Sequence, residues 1–147
     1  HKYAAGLTMR LENVPAFQEK FEQVVSNSIK PEMLQQEVLI ETELGLKDID
    51  AKFHRLLKQF EPFGPQNEAP ILLTTRVYGS GYIVGNNHIK VTVRQEGAPS
   101  FECIGFGLAN NIDHINAGHA FDICYTIEEN HWRGKKNLQL NIKAIRY

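Results

Sequence analysis

The chain has 147 residues, 42% of them hydrophobic, 10% aromatic and 22% charged, with a formal net charge of −1. That composition describes a soluble globular protein of one ordinary domain or two very small ones, and it excludes a disordered chain. A near-zero net charge excludes a protein coated in positive charge, and no apolar run approaches the roughly 18 residues of a membrane helix.

The sequence opens "HKYAAG", with a histidine where a complete chain would start with methionine, and it reads as a fragment or a processed product. Residues 6–12, "GLTMRLE", have period-2 character and predict a strand. Asn13 and Pro15 then mark a helix start, and Phe17, Phe21, Val24 and Ser28 follow at helical spacing. "EVLIETEL" (37–44) alternates Val38, Ile40, Thr42 and Leu44 and predicts a half-buried strand. A second helix is expected from Asp48 or Asp50, with Phe53, Leu56, Leu57 and Phe60 on one face. Three prolines and a glycine in "FEPFGPQNEAP" (60–70) cannot continue a helix or sit in a central strand, so the boundary is set there.

Beyond residue 70 the period is 2 almost throughout. "ILLTTRVYGSGYIVG" predicts a long, bent strand broken by Gly79 and Gly81. "HIKVTVRQ" puts Ile89, Val91 and Val93 on one face and His88, Lys90, Thr92 and Arg94 on the other. "SFECIGFG" is a third strand, "LANNIDHINAG" a helical interruption, and two last strands flank "HWRGKK". The expected fold is an α+β fragment followed by an all-β, five-stranded OB-type barrel. The same strand count also suits an SH3-like barrel or a plain sandwich. Residues 1–70 hold 8 basic and 11 acidic side chains, residues 71–147 hold 8 and 6, so the barrel half is mildly basic.

Enzyme chemistry finds little support. His114 and His119 are five apart, not the four that puts two ligands on one helix face. Cys103 and Cys124 lie in apolar strands and read as inert, buried thiols of a reducing compartment, which makes the cytoplasm the expected location. Glu128 and Glu129 are neighbours on a strand and point to opposite faces, which defeats paired-carboxylate catalysis. No phosphate-binding glycine loop is present.

Nucleic-acid binding fits better, because OB barrels use strands 2–3 and the loops joining strands 1–2 and 4–5. Strand 2 offers His88, Lys90 and Arg94. The 1–2 connection offers Tyr82, Asn86 and Asn87, and the 4–5 hairpin offers Trp132, Arg133, Lys135 and Lys136. An aromatic face stacks a base and the cations follow phosphates. The plainer reading of that hairpin is a soluble tip whose lysines keep a strand edge from aggregating.

"HKYAAG" taken alone suits an ordinary surface turn, or a tight helix entry that approaches a phosphate. The segment resembles the end of the glycine-glycine-histidine signature in the DHHA1 domain of DHH-family phosphoesterases. "FEPFGPQNEAPIL", "VGNNHIKVTV", "FECIGFG" and "FDICYTIEENHWRGKKNLQLNIKAI" extend that resemblance along the chain. In this order they resemble the C-terminal part of the RecJ family of single-stranded-DNA-specific 5′→3′ exonucleases, which act in DNA repair and recombination.

The resemblance implies that residues 1–70 end a DHHA1-like domain and its linker, and that 71–147 form an OB-like nucleic-acid-binding barrel. It implies phosphodiester hydrolysis assisted by Mn²⁺ or Mg²⁺, with the metal held by Asp and His of a DHH domain. No "DHH" occurs in this sequence. The expectation is therefore a chain without catalytic or metal-ligating residues of its own and inactive by itself, in which His1 maps onto a substrate-phosphate contact. The implied partner is single-stranded DNA, with no membrane, and a single-stranded-DNA-binding protein is the partner if the barrel instead docks proteins. Two alternatives stand beside this: a barrel that docks proteins, and a parent phosphoesterase acting on nanoRNA or cyclic dinucleotides.

Overall fold

The computed structural model describes residues 4–34, 37–132 and 135–147, leaving aside the side chains at 31, 32, 131, 132 and 135. Two compact units are present, His1–Glu37 and Val38–Tyr147.

In the first unit, α1 (Val14–Ser28) follows a short 3₁₀ turn at Leu11–Asn13. Asn13 occupies the N-cap position without a side-chain cap bond, and Pro15 falls in the first turn, where a missing N–H costs nothing. Phe17 and Phe21 stack at 5.6 Å, one turn apart, yet no residue of α1 is buried. The strand expected over 6–12 is not formed: residues 4–10 carry no regular structure, and Leu7 and Leu11 are exposed. A strand needs a ladder partner for its N–H and C=O groups, and the described chain offers this segment none.

The second unit is built on six strands among the described residues: β1 (Thr42–Glu43), β2 (Leu72–Val84), β3 (His88–Arg94), β4 (Phe101–Gly105), β5 (Phe121–Trp132) and β6 (Lys135–Arg146). Their order is β1-β2-β3-β4-β6-β5, and β2 also pairs with β5. That last pairing closes β2 to β6 into a five-stranded barrel, with β4 and β6 parallel and the other barrel neighbours antiparallel. Closure removes the free edges that an open sheet would present. A right-handed twist alone does not close so small a barrel, so β2 bends at an irregularity between Thr74 and Val77, where Arg76 takes φ +55°. Asp122 secures this bend. It accepts from the Arg76 amide at 2.9 Å and from the Arg146 guanidinium at 2.7 Å. Burial alone would raise the Asp122 carboxyl, but those two donors hold it below its ordinary value.

Alternation decides which side chains fill the barrel. Ile89, Val91 and Val93 of β3, Phe101 and Cys103 of β4, and Leu140 and Ile142 of β6 are all buried, as are Phe121, Ile123 and Tyr125 of β5. The short helix α3 (Ile112–Asn116) adds the fully buried Ile115. Gly79 and Gly81 do not break β2. They let it pack tightly: a Cβ on Gly79 would lie 2.9 Å from the Phe121 ring, and one on Gly81 would collide with the Lys90 carbonyl.

The proline-rich segment 60–70 lies inside the second unit and not between two units. Leu46 and Ile49, from the turn before α2 (Ala51–Leu57), are buried in the barrel core. The strand expected over 37–44 shrinks to β1, which pairs in parallel with Leu72 and Leu73. Asp50 caps α2 by accepting from the Phe53 amide at 2.7 Å. The apolar face of this helix differs from the spacing argument. Phe53, His54 and Leu57 turn inward, while Leu56 and Phe60 are exposed; the helix tightens to 3₁₀ at Lys58–Phe60, which takes Phe60 off the 3.6-residue period.

Candidate nucleic-acid interface

Every second residue of β2 and β3 faces away from the core. The register places Tyr78 opposite Arg94, Ser80 opposite Thr92 and Tyr82 opposite Lys90, and all six side chains are exposed. Across β4 and β6 the rows continue: Thr92, Glu102 and Gln139 follow one another in the first, Lys90, Ile104 and Asn141 in the second. Ser80, Tyr82, Lys90, Thr92, Glu102 and Gln139 line a shallow depression at the centre of this face.

Rigid backbone supports it. The Asn116 side chain of α3 accepts from the Gly81 amide at 2.9 Å and donates to the Gly81 carbonyl at 3.1 Å. This two-point clasp fixes the peptide immediately before Tyr82. At the hairpin between β2 and β3, Gly85 takes φ +61°, which a residue without Cβ adopts at no steric cost, and Asn86 and Asn87 project at the tip.

The residues expected to bind nucleic acid are divided by this geometry. Tyr82, Lys90 and Arg94 share the outer face, with Asn86 and Asn87 at one end of it. His88 is half-buried and engaged: its Nδ1 accepts from the Gly107 amide at 3.2 Å, and its ring meets Phe106 edge-on at 5.2 Å. It therefore ties β3 to the end of β4. Lys136 is exposed, but alternation places it on the same side of β6 as Leu138 and Leu140, where it borders Ala51 and Arg55 of α2. Trp132 and Lys135 form the last backbone pair of the β5–β6 ladder. Arg133 and His1 lie outside the described residues.

Three members of the face escaped the sequence reading. Tyr78 and Phe106 are exposed aromatics, 46% and 58% accessible, and Glu102 places a carboxylate in the middle of the depression. Tyr78 was legible in its alternation with Tyr82, and Phe106 in the same alternation carried one step past Gly105.

The remaining chemistry is structural. Cys103 and Cys124 are free thiols. Burial pushes Cys103 up to about 12 and raises Cys124 as well, so neither is a ready nucleophile. Glu128 accepts from the Asn141 amide at 2.7 Å, whereas Glu129 meets Lys58 at 3.1 Å on the other side, so the two carboxylates do diverge. Among the described residues no three His, Cys, Asp or Glu side chains gather to hold a metal ion.

Comparison with known proteins accords with this barrel. The RecJ OB domain family matches residues 40–144. The single-stranded-DNA-specific exonuclease RecJ of Bacillus subtilis is 27% identical over 97% of this chain, and that of Escherichia coli 28% identical over 99%. The chain spans only 18% and 25% of those two relatives. The crystal structure of Thermus thermophilus RecJ in complex with Mn²⁺ superimposes with a TM-score of 0.70 at 18% identity, covering 97% of this chain and 20% of that one.

Proposed function

Because the chain belongs to the RecJ OB domain family, we propose that its barrel is the single-stranded-DNA-binding part of a RecJ-type 5′→3′ exonuclease that serves DNA repair and recombination. The observation that carries this reading is the outer face of β2 and β3, where exposed Tyr78 and Tyr82 stand opposite Arg94 and Lys90. Stacking on the rings holds unpaired bases of any sequence, and the cations alongside neutralise phosphates. A duplex hides its base faces in the stack and cannot use the rings, so the arrangement favours single strands.

In this reading the barrel grips the strand while hydrolysis is carried by metal-binding residues outside the described set, with Mn²⁺ or Mg²⁺ as the metal. The cytoplasm is the compartment assigned, since it keeps Cys103 and Cys124 reduced. Among the described residues no helix is long and apolar enough to cross a membrane. Titration of labelled single- and double-stranded oligonucleotides at two salt concentrations tests the proposal.

A second role has its own observation. Leu56 and Phe60, beside the barrel on α2 and the turn after it, are 48% and 67% exposed. An apolar pair of this kind suits protein docking, for which a single-stranded-DNA-binding protein is the partner proposed. Such binding persists at high salt, where a phosphate contact does not.

A further inference from the structure

Phe106 is 58% exposed, and the residues around it hold it in place. Gly105, before it, ends the β3–β4 ladder opposite Ile89. Gly107, after it, takes φ +74° and donates its amide to the His88 Nδ1 at 3.2 Å. The His88 ring packs against the phenyl at 5.2 Å and a steep angle, and more than half of Phe106 still meets solvent. An apolar ring fixed in this way and left uncovered suits a flat ligand. The strand registers also bring it a cation. Gly105 pairs with Ile89 on one side and with Ile142 on the other, and both are buried. One residue further along each strand, alternation turns His88, Phe106 and Lys143 to the outer face. Lys143 is the residue left unpaired where the β5–β6 register shifts. It is exposed and has no acid partner among the described residues.

The charged residues of this face fit one oblique path. Arg94 stands opposite Tyr78, and Lys90, further along β3, stands opposite Tyr82. Lys90 also pairs with Ile104 of β4, which comes just before Gly105 and Phe106, and Lys143 lies beyond on β6. A line from Arg94 through Lys90 to Lys143 therefore crosses β3, β4 and β6 and passes the three rings in turn. The acids lie off that line. Glu102 is on the far side of Ile104 from Phe106, about 13 Å away by strand rise. Glu128 on β5 accepts from the Asn141 amide at 2.7 Å, and Asp122 is met by Arg146 at 2.7 Å.

We infer that Phe106 is a second base-stacking platform and Lys143 its phosphate contact, so that one single strand crosses the barrel obliquely from β2 to β6. By strand spacing and rise, Phe106 lies about 12 Å from Tyr82. Stacked nucleotides rise only about 3.4 Å, so the two rings take different bases. A phenyl face stacks on any base, which makes the contact tolerant of sequence. His88 is a positioning residue here, since it acts through the ring and the turn that carry the contact. The platform extends the grip beyond β2 and β3, and it rests on the single-strand-binding reading above.

The test uses the whole chain and a labelled oligothymidylate of about 16 nucleotides, the upper footprint of such barrels and long enough to reach both rings. Phe106→Ala and Phe106→Leu should each weaken binding about tenfold, while Phe106→Tyr binds like the unaltered chain. The leucine variant keeps apolar bulk against His88 and loses only the aromatic face, so it separates stacking from packing. Lys143→Ala should lower the slope of log affinity against log salt by about 0.7. Full affinity in Phe106→Leu, with Tyr82→Ala still weakened, overturns the inference and leaves single-strand binding standing. An unchanged salt slope in Lys143→Ala removes the phosphate contact and overturns the path across β6. Failure of the unaltered chain to bind at low salt overturns both readings.

Discussion

Tyr82 and Lys90 stand directly opposite each other in the β2–β3 ladder, both exposed, with the backbone just before Tyr82 pinned at Gly81 by Asn116. One residue offers a π-face and the other a cation, at a spacing set by the sheet and not by a loop. Directly opposed side chains keep their Cβ atoms about 5 Å apart, so both contacts fall within one nucleotide of each other.

Separate signatures are expected from the two. Tyr82→Ala should weaken single-strand binding by about 1–3 kcal/mol, whereas Tyr82→Phe keeps the ring and most of the affinity. Lys90→Ala should weaken binding to all sequences alike and reduce the slope of log affinity against log salt by about 0.7. Lys136→Ala should change both less, because Lys136 faces α2. Anisotropy titrations over a salt series read all three.

Gly81 cannot carry a side chain without cost. Its Cβ would collide with the Lys90 carbonyl and approach the Val91 Cα at 3.0 Å, and both are backbone atoms that move only with the ladder. Gly81→Ala should therefore destabilise the fold by about 3 kcal/mol in urea denaturation. Gly64→Ala, where nothing lies within 4 Å, is the control and should leave the midpoint nearly unchanged.

Inside the barrel, the Thr74 hydroxyl donates to the Leu44 carbonyl at 2.6 Å, so its contact with the Tyr125 hydroxyl at 2.8 Å must run from Tyr125 to Thr74. This relay joins the chain around β1 to the barrel wall. Burial pushes Tyr125 up to about 12 from 10.0 and Cys103 up to about 12 from 9.0. Both are acids held neutral by the fold. Their contribution is complete below the unfolded values and is lost as pH rises toward 12. Stability should fall from about pH 9 upward. Tyr125→Phe should cost about 1 kcal/mol at neutral pH and flatten the part of the alkaline loss above pH 10. Denaturation midpoints measured across that range check the sign.

Purified chain incubated with single-stranded DNA and Mn²⁺ or Mg²⁺ should yield no hydrolysis that scales with its concentration. The described residues gather no metal-binding set, and burial raises the thiols of both Cys103 and Cys124. Product release proportional to protein, retained through repeated purification, would show a catalytic centre that this account lacks.

The barrel was largely legible because half-buried strands write their faces into the sequence. Ile89, Val91 and Val93 alternate with exposed Lys90, Thr92 and Arg94 as the pattern requires. What escaped depends on partners distant in sequence. "GLTMRLE" has strand periodicity but no partner strand in the described chain, and periodicity alone does not make a ladder. Leu46 and Ile49 sit around the expected helix start, outside the apolar faces read from the sequence, and only the folded barrel shows them buried. The candidate site was half legible. Tyr82, Lys90 and Arg94 could be placed by strand parity, but the conversion of His88 from ligand contact to brace depends on Phe106 and Gly107, nearly twenty residues away.

The most direct measurement is the affinity of the chain for one labelled oligonucleotide, single-stranded and as its duplex, at low and at near-physiological salt. Measurable binding to the single strand at low salt is expected, with weaker binding to the duplex and a steep loss as salt rises, about 0.7 in log–log slope for each phosphate neutralised. Absence of single-strand binding at low salt, or equal and salt-independent binding of both forms, would contradict it.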